Sequence, residues 1–136
     1  MQTEPLDSDV VDALIAELAD PAVLARLVRL YLDKLGDRLE EVVNAEDAAA
    51  LTAAAHSLKA ASATFGAVLV ADVATQLEEL GERGEEAPAP LLDGLLEAAE
   101  DARRALEQIV ADAEAEADVE ADNDVDEGSG GAVREG

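Results

Sequence analysis

The sequence predicts an all-α protein: an antiparallel four-helix bundle with a short additional helix at its N-terminus. Three observations predict it. Apolar residues make up 49% of the 136-residue chain, and Ala, Leu and Val supply most of them. One Phe, one Tyr and no Trp are present, a poor set for packing sheets and a good one for helices. Apolar residues also recur at helical spacing in four long segments separated by short breaks.

The first, short helix is predicted over about Ser8 to Ala19, with Leu14, Ile15 and Leu18 as its stripe. Asp20-Pro21 then restarts the chain, because Asp is a good N-cap and Pro fits the first helical turn. The second helix runs from Pro21 to about Asn44 on Leu24, Val28, Tyr31, Leu35 and Val42. The third spans about Glu46 to Thr64 and ends at Phe65-Gly66, where glycine can turn left-handed. The fourth covers about Ala67 to Glu82 on Val70, Val73, Leu77 and Leu80, with Gly81 and Gly84 as stop signals. A loop over Glu85 to Pro90 precedes the last helix, about Leu91 to Ala115, which uses Leu92, Leu95, Ala99, Leu106 and Ile109. The domain is thus placed at residues 1–117. Residues 118–136 are acidic, then rich in Gly and Ser, and are expected to form a disordered tail.

Charge narrows the function. The formal net charge is -24, with both the predicted domain and the tail acidic. Such a field repels nucleic acid and anionic lipid. The longest stretch without a charged residue or His, Ala60 to Ala71, is too short to span a bilayer, and Met1 to Ser8 has no basic signal-peptide region. No cysteine and a single His exclude a disulfide framework and an ordinary zinc site. A cytoplasmic, monomeric protein is expected, without bound metal or cofactor.

The single histidine, His56, is the informative residue. Leu51, Ala55, Leu58, Ser62 and Phe65 form the inward stripe of the third helix. His56 lies about 160° around the helix from Leu58 and is expected to face outward. Lys59 shares its face, as do the small neighbours Thr52, Ala53 and Ala60 on adjoining turns. Between Ala48 and Ala71 Lys59 is the one permanently charged side chain, in a chain otherwise dense with acids. That gap marks a face open to an anionic group or an acidic partner. No second His, no Cys and no Ser-His-Asp set support hydrolytic or nucleophilic enzyme chemistry.

The stretch His56-Ser57-Leu58-Lys59-Ala60-Ala61-Ser62-Ala63-Thr64-Phe65-Gly66-Ala67 resembles the phosphorylation motif of histidine phosphotransfer (HPt) domains. The pattern is His, any residue, an aliphatic, Lys, usually Gly, then an apolar-Gly pair closing the helix. Leu-Ala-Asp-Pro at 18–21, the helix after it, Leu77-Glu78 and the turn Gly81-Glu82-Arg83-Gly84 extend the likeness over roughly residues 6–113. The departure is Ala60, where the family usually has Gly; one added methyl is expected to narrow partner choice.

The resemblance implies a stand-alone phosphorelay protein that shuttles a phosphoryl group on His56 between receiver-domain aspartates. Its partners would be a response-regulator receiver and a sensor or hybrid histidine kinase, with Mg²⁺ supplied by the receiver. The chain has no Gly-rich phosphate loop and is expected to be a phosphocarrier, not an enzyme with its own ATP site. Nε2 of His56 would be the nucleophile, and Lys59 would offset charge on the phosphoryl oxygens. Glu78 lies about as far from the 65–67 turn as His56 does, so it is a candidate to orient the imidazole through Nδ1–H. Thr52, Ala53, Ala60, Ala63 and Thr75 are expected to line the partner face. The alternative is a non-catalytic helical adaptor that docks a partner through the same Ala-rich face.

Overall fold

The computed structural model describes residues 4–130. It contains five helices: α1 (Ser8–Leu18), α2 (Pro21–Val43), α3 (Ala48–Thr64), α4 (Val68–Glu82) and α5 (Ala89–Gly130). No strand occurs among the described residues.

Local chemistry sets most helix ends. Asp7, Asp20 and Asp47 cap α1, α2 and α3, each accepting from backbone N–H groups of the first turn. Asp47 moves the start of α3 two residues beyond the expected Glu46. At the far end of α3, Gly66 has φ 75°, its N–H donates to Ala63 O, and the Ala67 N–H reaches back to Ser62 O. These are the two hydrogen bonds of a Schellman turn. The end of α4 repeats the motif: Gly84 has φ 74°, with Gly84 N–H to Gly81 O and Glu85 N–H to Leu80 O.

Gly84 alone therefore makes the turn after α4. Gly81, expected to be a stop signal, instead sits buried within the helix. The last helix also departs from expectation at both ends. It starts at Ala89 rather than Leu91, because Pro90 falls in the first turn, where a missing N–H leaves no bond unmade. It runs on to Gly130 rather than ending near Ala115. The segment after Ala115 is free of Pro, and Ala and Glu continue up to Glu120. The expected disordered tail at 118–136 therefore starts within this helix, and residues 131–136 lie outside the described ones.

α3 packs on α4 and α2, and α5 packs on α2 and α4, so the four long helices close a ring, with α1 against α2. α2 and α5 run antiparallel: Ala22 lies beside Asp118, and Leu32 beside Val110. Arg29 bridges to Glu114 between those levels. Leu24, Val28, Tyr31, Leu35 and Val42 are all buried, as their spacing predicts, and so are Leu51, Ala55, Leu58 and Ser62. Val70, Leu77, Leu95, Ala99 and Leu106 complete the interior. The Tyr31 ring stacks on Phe65 at 5.1 Å, and its hydroxyl meets Ser62 Oγ at 2.7 Å inside the core. Burial pushes the Tyr31 phenol above its ordinary pKa. α1 buries no residue fully, and Ile15 stays 42% exposed, because this helix covers only one flank of the bundle.

Candidate functional site

α3 carries His56 outward because its inward stripe is fixed by Leu51, Ala55, Leu58 and Ser62. The imidazole is 64% exposed. Its Nδ1 stands 2.8 Å from Oε2 of Glu78, which α4 brings across the hairpin. The other oxygen of the same carboxylate, Oε1, accepts from Lys59 Nζ at 2.6 Å. Glu78 itself is only 13% exposed, so it lies beneath the imidazole and the ammonium and leaves the outer edge of the ring clear.

Glu78 thus meets both Lys59 and His56, where the sequence reading pairs it with His56 alone. The Lys59 hydrogen bond is the main reason the Glu78 carboxyl titrates below its ordinary value; partial burial opposes it, and the His56 contact adds to it. Glu78 is therefore a carboxylate at neutral pH. A carboxylate only accepts hydrogen bonds, so Nδ1 must carry the ring hydrogen. In the neutral imidazole Nε2 is then the atom with the free lone pair.

The small residues around the site divide into two groups. Ala53, Ala60 and Ala63 are exposed along the face that carries His56. Thr52, one turn before His56, lies on the α4 side of that face. It is half-buried, its hydroxyl donates to Ala48 O at 2.9 Å, and its side chain is turned to α4 against Gly81. Thr75 is also half-buried and donates to Ala71 O at 2.8 Å, so its hydroxyl is occupied by its own helix. Both hydroxyls follow the habit of Thr inside a helix, which bonds to the carbonyl one turn back. The double role of Glu78 and the contact at Gly81 are not visible from spacing within one helix, since both depend on how α4 crosses α3. No group of three or more His, Cys, Asp or Glu side chains among the described residues is placed to hold a metal ion. Among those residues no helix is long and apolar enough to cross a membrane.

The site is an exposed imidazole with one nitrogen hydrogen-bonded to a carboxylate, on the outer face of a helical bundle. Comparison with known proteins gives its class. The sequence profile of the Hpt domain matches residues 26–121. The crystal structure of histidine-containing phosphotransfer protein B (HptB) from Pseudomonas aeruginosa PAO1 is similar, with a TM-score of 0.66 and 32% sequence identity. The match covers 81% of this chain and 97% of that one. No curated protein matches the chain. The chain belongs to the Hpt domain family, the histidine phosphotransfer modules of phosphorelays.

Proposed function

We propose that His56 accepts a phosphoryl group on Nε2 from a receiver-domain aspartyl phosphate and returns it to an aspartate of another receiver. The observation that carries this reading is the Nδ1–Glu78 hydrogen bond beside an open Nε2. The Nε2 lone pair attacks phosphorus in line. The P–O bond to the aspartyl carboxylate breaks, and the carboxylate leaves with the electron pair. The ring, still protonated on Nδ1, gains positive charge as the P–N bond forms. The Glu78 carboxylate stabilises that charge from 2.8 Å away. Return of the group to a receiver aspartate reverses each step.

Lys59 supplies the other half of the charge balance. Its ammonium is one-third exposed and hydrogen-bonded to Glu78, so it can turn toward an arriving phosphoryl oxygen while staying near the carboxylate. Receiver and kinase domains are the partners of this family; the receiver brings its own acidic pocket and Mg²⁺. The transfer depends on positioning and charge stabilisation more than on any covalent chemistry of the bundle. Exposed Ala53, Ala60 and Ala63 let a bulky domain approach the ring.

The test is incubation with a phosphorylated receiver domain, followed by detection of acid-labile, base-stable phosphate on this chain. His56→Gln is expected to abolish labelling and leave helix content unchanged. Labelling that persists in His56→Gln contradicts the assignment.

A further inference from the structure

α3 and α4 run antiparallel, and two contacts cross between them on adjacent turns. One is His56 with Glu78. The other is Thr52 with Gly81. Thr52 precedes His56 by one turn of α3, and Gly81 follows Glu78 by one turn of α4. The separation of the helices at the second contact therefore bears directly on the reach of the first.

That separation is very small. A Cβ on Gly81 would lie 2.2 Å from Thr52 Oγ1 and 2.9 Å from both Ala48 O and Thr52 N. The Thr52 hydroxyl is anchored to Ala48 O, and the other two atoms are backbone that cannot rotate away. Any residue larger than glycine must push α4 outward here. The turn does not require this glycine, because the left-handed position belongs to Gly84. Inside a helix glycine is less favourable than alanine, so its local effect is a cost. What it provides is closeness to α3.

Resting on the reading of His56 as phosphoryl acceptor, we propose that Gly81 is a positioning residue for the transfer. By letting the α4 backbone press against Thr52, it holds the Glu78 carboxylate within hydrogen-bond reach of His56 Nδ1. That contact keeps the ring hydrogen on Nδ1 and the attacking Nε2 bare. A side chain at 81 shifts Glu78 away, and the ring relaxes toward the tautomer with hydrogen on Nε2.

The test compares the full chain with Gly81→Ala, Gly81→Ala/Thr52→Ala and Val110→Ala. Val110 is buried in α5, away from the α3–α4 contact, and serves as a control for lost stability. Nitrogen NMR reports the His56 tautomer, and transfer from a phosphorylated receiver reports the rate. Gly81→Ala is expected to move the ring toward the Nε2–H tautomer and slow transfer about ten-fold, the scale seen when a histidine's orienting partner is lost. The double variant lacks the atom at 2.2 Å and is expected to recover part of both. Val110→Ala is expected to lower the melting temperature and leave the tautomer as in the wild type.

A wild-type tautomer and rate in Gly81→Ala overturn the inference. So does an equal tautomer change in Val110→Ala, or failure of both Gly81 variants to fold, which would make Gly81 a requirement of the bundle alone. A wild-type chain that accepts no phosphoryl group overturns the phosphotransfer reading and this consequence together. Normal wild-type transfer with an unchanged ring in Gly81→Ala overturns the Gly81 inference by itself.

Discussion

Nδ1 of His56 lies 2.8 Å from Oε2 of Glu78, a partner 22 residues away on the next helix. The contact joins the exposed imidazole to a carboxylate that is only 13% exposed and is held a second time by Lys59. The ring is held on one side and 64% exposed, the arrangement on which the proposed in-line attack rests.

Glu78→Ala frees the ring. It is expected to slow transfer about ten-fold or more, as loss of a histidine's orienting partner does at other sites. Helix content should not change. Nitrogen NMR of the ring is expected to show the Nδ1–H preference weakened, and an unchanged tautomer with an unchanged rate would reduce Glu78 to a surface acid.

The Lys59–Glu78 contact gives stability an acid limb. The folded state holds the Glu78 carboxyl below its ordinary value of 4.5, chiefly through Lys59. A lowered pKa contributes stability in full above the unfolded value and loses it as pH falls through the folded one. The part of the stability difference between wild type and Glu78→Gln that comes from the Lys59 contact is therefore expected to shrink as pH falls below 4.5. Chemical denaturation across that range measures it. In Lys59→Met the Glu78 carboxyl should titrate closer to 4.5, read by carbon NMR.

Tyr31 and Ser62 share a buried 2.7 Å hydrogen bond between α2 and α3. Removing one partner strands the other hydroxyl in the core. Tyr31→Phe and Ser62→Ala are each expected to cost about 1–3 kcal/mol. The double variant should cost less than their sum, with a coupling of about 0.5 kcal/mol or more from the cycle. Additive losses would show that the two hydroxyls do not act as a pair.

The last fully buried residue of α5 among those described is Ala113. We propose that residues 118–136 lie outside the phosphotransfer domain. A chain ending at Ala117 is expected to melt within about 2 °C of the full protein, since surface changes alter stability by less than ~0.5 kcal/mol. Its transfer rate should match that of the full chain. A large drop in melting temperature would place part of the tail within the domain.

The bundle was legible in the sequence because its interior follows helical spacing: Leu24 to Val42 in α2 and Leu51 to Ser62 in α3 are buried as their periodicity predicts. Asp20-Pro21 likewise announced the start of α2. His56 could be placed outward by the same reasoning. Features that depend on a second helix were not legible. Gly81 has the look of a stop signal, but it is buried inside α4, where that helix crosses α3 at Thr52. The end of α5 was not legible because apolar spacing stops near Ala115, whereas helix propensity continues through the alternating Ala and Glu of residues 113–117. Spacing along α3 also gave Lys59 no partner, because Glu78 comes from α4.

The most direct measurement identifies the phosphorylated atom. After transfer from a receiver domain, proton-detected nitrogen and phosphorus NMR of the intact chain should show one phosphoryl group, bonded to Nε2 of His56, with Nδ1 still protonated. A phosphoryl group on Nδ1, or on any other side chain, would contradict the account.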